Sequence, residues 1–174
     1  LLHSWFPFYM GINEQRYGFM DEGWATAFEY LINERDMGPE KAADLFKQFR
    51  TKNLVVPFDG LDIPIITPSD SLSGNVIGRN NYEKAALGYL ALKELLGDAP
   101  FKAALHEFMA RWNGKHPIPW DMFNTFNDVT GQDLNWFFNR WFFEPNYIDL
   151  AVRDVQKTDG GYIVRVANPG GMPI

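Results

Sequence analysis

From Asp21 to about Arg35, apolar residues recur at intervals of three and four, with Trp24, Ala27, Phe28 and Leu31 on one face and an acidic first turn, so the pattern predicts a helix. Pro39 opens a second periodic run whose inner stripe reads Ala42, Leu45, Phe46 and Phe49. "NNYEKAALGYLALKELLGD" predicts another helix, led in by asparagine caps and closed by Gly97, and Asp98 with Pro100 opens the next, "APFKAALHEFMARWNGK". "DLNWFFNRWFFEP" predicts a helix capped by Asp133 and stopped at Pro145, and Leu1 to about Tyr9 reads as the tail of a buried helix ended by Gly11. Six or seven helices in succession predict an irregular, mainly α lobe.

Two stretches depart from this period. Between Asn53 and Asn80, "VVPFDGLDIPIITPSDSLSGN" is rich in Pro, Gly, Ser and Asp and predicts a long irregular connection, of the kind that more often carries function than not. After Pro145, "YIDLAVRDVQ" and "GYIVRVAN" alternate with period two around "KTDGG", which predicts an antiparallel hairpin. A lone hairpin is marginal in water, and the closing "GGMPI" reads as the approach to a third strand.

Composition narrows the chemistry. The chain is 46% hydrophobic, 16% aromatic and only 22% charged, the signature of a packed globular core. Its net charge of -6, without a basic cluster, makes nucleic acid an unexpected partner. No apolar run reaches the length of a bilayer span and no leader pattern is present. With 0 cysteines, thiolate zinc sites and cysteine nucleophiles are excluded, so any metal must be held by histidine and carboxylate. Among the histidines, His106 and His116 have no ligand spacing and read as surface or core polar residues. The aromatic block from Trp136 to Phe143 reads as core packing or an interface with further domains.

His3 has the more informative context. Glu22 lies in the first turn of the helix that follows it, so a helix, a turn and an antiparallel second helix bring the two side chains to one point, as in a His-His-Glu zinc site. The remaining ligand of such a site is a histidine four positions before His3, on the same helix face. A start on Leu-Leu-His is thus the expected tail of His-Glu-Leu-Leu-His, in which the glutamate is the general base.

The words around these residues, "HSWFPF", "MDEGWATAFEY" and "YEKAALGYLALKELLG", resemble the gluzincin aminopeptidases, the family of alanyl aminopeptidases and leukotriene hydrolase. Members carry His-Glu-x-x-His-x-Trp-Phe, then Asn-Glu-Gly-Phe-Ala, then Tyr-Glu-Lys-Gly-Ala, and "WNGKHPIPWDMFNTFNDVTGQDLNWFFNRWFF" is similar to the helical end of their catalytic domain. The resemblance implies residues 1–145 as the helical part of a thermolysin-like catalytic domain and 146–174 as the first strands of a β-sandwich domain. It implies zinc as cofactor, peptides with a free N-terminus as substrates, and upstream domains of the same protein as partners.

Position by position, His3 and Glu22 match the family's zinc ligands, and Tyr82 matches the tyrosine that donates to the oxyanion of the transition state. Glu29, seven residues after Glu22 on the same helix, is placed to accept the ring N–H of a zinc histidine. Asp21 replaces the usual Asn and adds a negative charge beside the metal, while Trp24 and Ala85 are packing changes. The same residues would also suit a peptidase-like domain that has lost catalysis and serves in binding or assembly, or a hydrolase of lipid epoxides. The chain alone, without the general base, is expected to be inactive.

Overall fold

The computed structural model describes residues 2–4, 8–50, 63–147 and 149–173, apart from the side chains of Ser4 and residues 48–50. Helix α1 (Glu14–Tyr17) and helix α2 (Phe19–Met37) run end to end. Asn13 caps α1, its Oδ1 accepting from the Arg16 N–H at 3.2 Å. Gly18 between them keeps right-handed helical angles, so the two pieces are nearly one helix. Gly38, at a φ of 90° that other residues adopt only with strain, ends α2 and admits α3 (Pro39–Arg50).

Past a 3-10 turn at Ser69–Ser71, a single helical rod runs through α4 (Asn75–Ile77), a π-helical stretch (Gly78–Lys84) and α5 (Ala85–Leu96). Helix α6 (Asp98–Trp112) and helix α7 (Pro119–Thr130) follow, and the Asp121 carboxylate accepts from the Ile118 N–H at 2.8 Å to start α7. Helix α8 (Asn135–Phe138) passes into a second π-helical stretch, Asn139–Phe143. Strands β1 (Ala151–Thr158) and β2 (Gly161–Ala167) pair antiparallel, with an irregularity between Val152 and Asp154. Among the described residues no helix is long and apolar enough to cross a membrane.

Trp24 is the centre of the core. Its ring stacks on Tyr89 with centroids 3.9 Å apart, touches Phe28, Phe101 and Phe126, and its Nε1–H donates to Met122 Sδ at 3.4 Å. The Tyr89 hydroxyl, fully buried, donates to the Phe19 carbonyl at 3.2 Å. Each aromatic side chain buried in this way contributes about 1.5–3 kcal/mol. Ile66 N–H donates to the Phe142 carbonyl, fixing the segment before the Ser69 turn to the end of the α8 rod. Met172, beyond the hairpin, returns to the same core.

The α2–α5 contact is tighter than any side chain would permit. A Cβ on Gly23 would lie 2.6 Å from the Ala85 Cβ and 2.9 Å from Tyr89 Cε2. This closeness sets the distance between the first turn of α2 and the π-helical stretch.

The mainly α architecture with a C-terminal hairpin is the one the sequence pattern predicts, with α2 two residues longer at each end. Three local expectations are corrected. Asn80 and Asn81 do not cap the helix: they lie inside the π-helical stretch, where Asn80 Nδ2 donates to the Ile65 carbonyl at 3.2 Å and Asn81 Nδ2 to Ser69 Oγ at 3.0 Å. Leu45 is 56% exposed, because α3 packs on α2 through Ala42 and Phe46 instead. Phe8 and Tyr9 are exposed in a turn, not in a buried helix, since the backbone there bonds across to another loop: Gly114 N–H donates to the Tyr9 carbonyl and Gly11 N–H to the Lys115 carbonyl. Phe49's side chain, like residues 51–62 of the Pro- and Gly-rich connection, lies outside what is described.

Gly23→Ala is expected to destabilise the protein by about 1–3 kcal/mol, because Ala85 and Tyr89 must move to admit a methyl group. A urea midpoint equal to that of the wild type would show that the α2–α5 contact is looser than this.

Candidate metal centre

His3 sits in a 3-10 turn (Leu2–Ser4) that packs on the start of α2. Asp21 and Glu22 occupy the first turn of α2, and both of their N–H groups donate to the Gly18 carbonyl. Tyr82 is presented by the π-helical stretch.

These four side chains converge. Asp21 Oδ1 lies 2.7 Å from His3 Nδ1, and the Tyr82 hydroxyl donates to Glu22 Oε1 at 2.5 Å. Asp21 as acceptor places the histidine proton on Nδ1 and leaves a lone pair on Nε2. That lone pair faces Glu22 Oε2 at 3.3 Å, and Glu22 Oε2 is buried with no hydrogen-bond partner.

With the imidazole neutral these two acceptors face one another with no donor between them, and an unpaired buried carboxylate oxygen is costly. A second proton on the ring, making an ion pair with Glu22, or a metal ion between the two resolves both. Two ligands at about 2.0–2.1 Å from a tetrahedral ion stand about 3.4 Å apart, close to what this pair shows. Ligand atoms of His3, Asp21 and Glu22 all lie within 4.8 Å of one another. Because Asp21 is engaged on the far side of the imidazole, His3 and Glu22 are the pair whose free atoms could hold a metal, and Asp21 orients the ring.

The electrostatics match. Burial pushes the Asp21 carboxyl up to about 6; the Glu14 hydrogen bond works against this and the Glu22 charge adds to it. Glu14, exposed as a residue, has its carboxyl pushed up to about 8 by removal from water, by a hydrogen bond to Asp21 and by the charges of Asp21 and Glu22. Burial, the Glu22 bond and the neighbouring carboxylates hold the Tyr82 phenol well above its ordinary value, so it remains a donor.

A cleft of about 300 Å³ opens onto this group, lined by Leu2, His3, Ala25, Thr26, Glu29 and Tyr82. Glu29 faces the cleft but makes no hydrogen bond among the described residues. His116 Nδ1 bonds the Gly11 carbonyl at 2.9 Å and His106 is exposed, so neither joins the site. A larger apolar hollow between α2, α5 and the α8 rod, lined by Leu31, Phe46, Leu90, Trp136 and Trp141, contains none of these groups. Glu14 was not singled out by its sequence context. Its position seven residues before Asp21, on the same helical face, was the available signal, hidden by reading the helix as starting at Asp21.

The family description "Peptidase family M1 domain" matches residues 1–141. Among solved structures, a point mutant of the M1 zinc metallopeptidase from Deinococcus radiodurans superposes with a TM-score of 0.66 at 19% identity, covering 81% of this chain and 31% of that one. The same mutant bound to a Tyr-Ser-Ala substrate gives 0.66 at 20% identity. Legionella pneumophila aminopeptidase A in complex with aspartic acid gives 0.63 at 22% identity, covering 99% of this chain and 20% of that one. At such identities the likeness is one of fold, and the chain spans between a fifth and a third of these proteins. No curated protein sequence matches the chain.

Glu14 and Asp21 bind protons more tightly folded than unfolded, where they titrate near 4.5 and 3.8. Their ionisation therefore opposes folding, and stability present at low pH is lost as pH rises through about 6 and about 8. The melting temperature of the metal-free protein is expected to fall over this range, and to fall less in Glu14→Gln, which cannot ionise. A flat profile in the wild type would contradict the assignment.

Proposed function

The chain belongs to peptidase family M1, and from that premise we propose that it is part of a zinc-dependent aminopeptidase, with residues 1–145 forming the helical part of its catalytic domain and 146–174 the first strands of a β-sandwich domain. The observation that carries this reading is the meeting of His3 Nε2 with the buried Glu22 Oε2, 3.3 Å apart, beside a tyrosine hydroxyl.

His3 and Glu22 would hold zinc together with a histidine one helical turn before His3, outside the 174 residues. Zinc, when bound, supplies a Lewis-acid charge to the scissile carbonyl and lowers the pKa of an attacking water. Asp21, through its bond to His3 Nδ1, keeps the imidazole in the tautomer whose Nε2 is free to ligate. The Tyr82 hydroxyl, which donates to Glu22 in this structure, would turn from it to donate to the oxygen that gains charge as the carbonyl becomes tetrahedral. Glu29, on the cleft wall, would be the acceptor for the ring N–H of the upstream histidine, since that of His3 is already taken. The proton of the attacking water would go to a glutamate beside that histidine.

The substrates on this reading are peptides with a free N-terminus, a class to which the Tyr-Ser-Ala peptide of the Deinococcus enzyme belongs. The chain by itself, lacking the general base and one ligand, would be inert.

In the intact protein, cleavage of an aminoacyl reporter is expected to be abolished by a chelator and restored by zinc. Tyr82→Phe is expected to lower kcat by about a hundred-fold to a thousand-fold with KM little changed. Chelator-resistant cleavage, or full kcat in Tyr82→Phe, would overturn the proposal; absence of zinc and of activity together would favour a domain that binds without catalysis.

A further inference from the structure

The hydroxyl of Tyr82 turns about its own C–O bond, and that movement relocates the proton but not the oxygen. Where the oxygen stands relative to Glu22 is set by whatever holds the ring and the backbone of the π-helical stretch. The close contact at Gly23 fixes a separation, with the Asn81 carbonyl 3.2 Å from where a Cβ would be. A steric contact leaves two surfaces free to roll or slide, whereas a hydrogen bond weakens steeply off its axis and so sets direction.

The directional bonds come from one neighbouring segment. Lys84 Nζ donates to the Ile63 carbonyl at 3.2 Å, Asn80 Nδ2 to the Ile65 carbonyl at 3.2 Å and Asn81 Nδ2 to Ser69 Oγ at 3.0 Å. That segment is itself anchored, through Ile66 N–H on the Phe142 carbonyl and through the 3-10 turn, where Leu72 N–H donates to the Ser69 carbonyl. Ser69 Oγ differs from the other two acceptors in also taking a donor from the start of α2, Gly18 N–H, at 3.0 Å.

A closed circuit results. The Gly18 carbonyl accepts from Glu22 N–H at 2.9 Å, Glu22 Oε1 accepts from the Tyr82 hydroxyl, and Tyr82 is covalently next to Asn81, whose amide returns to Ser69. Asn81 is 2% exposed and its Oδ1 has no hydrogen-bond partner among the described residues, so the bond to Ser69 is what orients its amide. A Cβ at Gly18 would lie 2.7 Å from Asn81 Nδ2 and 2.8 Å from Ser69 Oγ, so the three groups meet with no room for a side chain between them.

On the zinc reading above, we propose that Ser69 is a positioning residue for Tyr82: one hydroxyl oxygen binds the start of the helix that carries Glu22 to the residue that precedes Tyr82, and so holds the phenol beside Glu22. Ser69 touches neither metal nor substrate. Replacing it by alanine strands one N–H donor on each side of the junction, and each then turns to water or to another acceptor. The ring next to Asn81 moves with it. A misplacement on the order of 1 Å at a reacting group costs about a hundred-fold in rate, and because Tyr82 serves the tetrahedral oxygen, the loss falls on kcat.

The test is a double-mutant cycle in the intact protein. It measures kcat and KM for an aminoacyl reporter in wild type, S69A, S69T, Y82F and S69A/Y82F, at a temperature where circular dichroism shows each folded. S69A is expected to lower kcat about ten-fold to a hundred-fold with KM within about two-fold, and S69T, which keeps the acceptor, to stay within about three-fold of wild type. In the Y82F background S69A should cost less than about two-fold, because the group it positions is gone; damage unconnected with Tyr82 would multiply instead. In metal-free protein carrying ring-labelled tyrosine, the Cζ resonance that Y82F removes should move in S69A and return in S69T. Wild-type kcat in S69A, S69T as slow as S69A, S69A and Y82F effects that multiply, or an unmoved Cζ resonance overturns the proposal. If Y82F keeps full kcat or cleavage survives a chelator, the zinc reading fails and this one with it; if Y82F is slow and S69A is not, only the role of Ser69 fails.

Discussion

Residue 23 has no side chain, and Ala85 and Tyr89 occupy the space one would need. That steric allowance sets the separation of α2 from the rod that bears Tyr82, and much else follows from it. Successive residues of a helix point about 100° apart, so Glu22, Gly23 and Trp24 address three different neighbours. Glu22 meets a tyrosine sixty residues away in sequence, Gly23 meets the rod, and Trp24 enters the core to stack on Tyr89. The face that carries His3, Glu22 and Tyr82 and the aromatic core are thus held to one another through a single turn of α2, and neither can shift without the other.

The charge distribution around that turn is unfavourable for folding taken alone. Three carboxyl groups gather near one histidine, two of them with raised proton affinity and a third with a buried oxygen that nothing satisfies. An arrangement of this kind is strained without a cation and relaxed with one, a trade of stability against function that is common at active sites.

The helices and the hairpin were readable because their periods are local, and α2, α3, α6 and the two strands fall close to where the apolar pattern puts them. His3, Glu22 and Tyr82 were readable through their spacing and the words around them, and the structure brings these three together with Asp21. What escaped was non-local. Asn80 and Asn81 look like caps in sequence, but the carbonyl and hydroxyl they serve belong to residues 65 and 69, more than ten positions upstream. Glu14 fell between the helix ended by Gly11 and the one begun at Asp21, and only the backbone angles of Gly18 show that the helical winding reaches back past it. Leu45 fits the stripe of α3 but lies beyond the edge of the surface that α2 offers.

The rod that carries Tyr82 is α-helical at both ends and π-helical between Gly78 and Lys84. Relative to uniform α winding, a π turn behaves as one extra residue accommodated without breaking the rod. Losing a residue there would restore regular winding and rotate everything on its N-terminal side by about 100° relative to α5. Tyr82 would then leave Glu22, and Asn80 and Asn81 would leave the loop they fasten, although every side chain involved would still be present. In this part of the molecule, length is a more stringent inheritance than residue identity: a related chain could exchange many of these side chains and keep the site, whereas a loss of one codon would dismantle it.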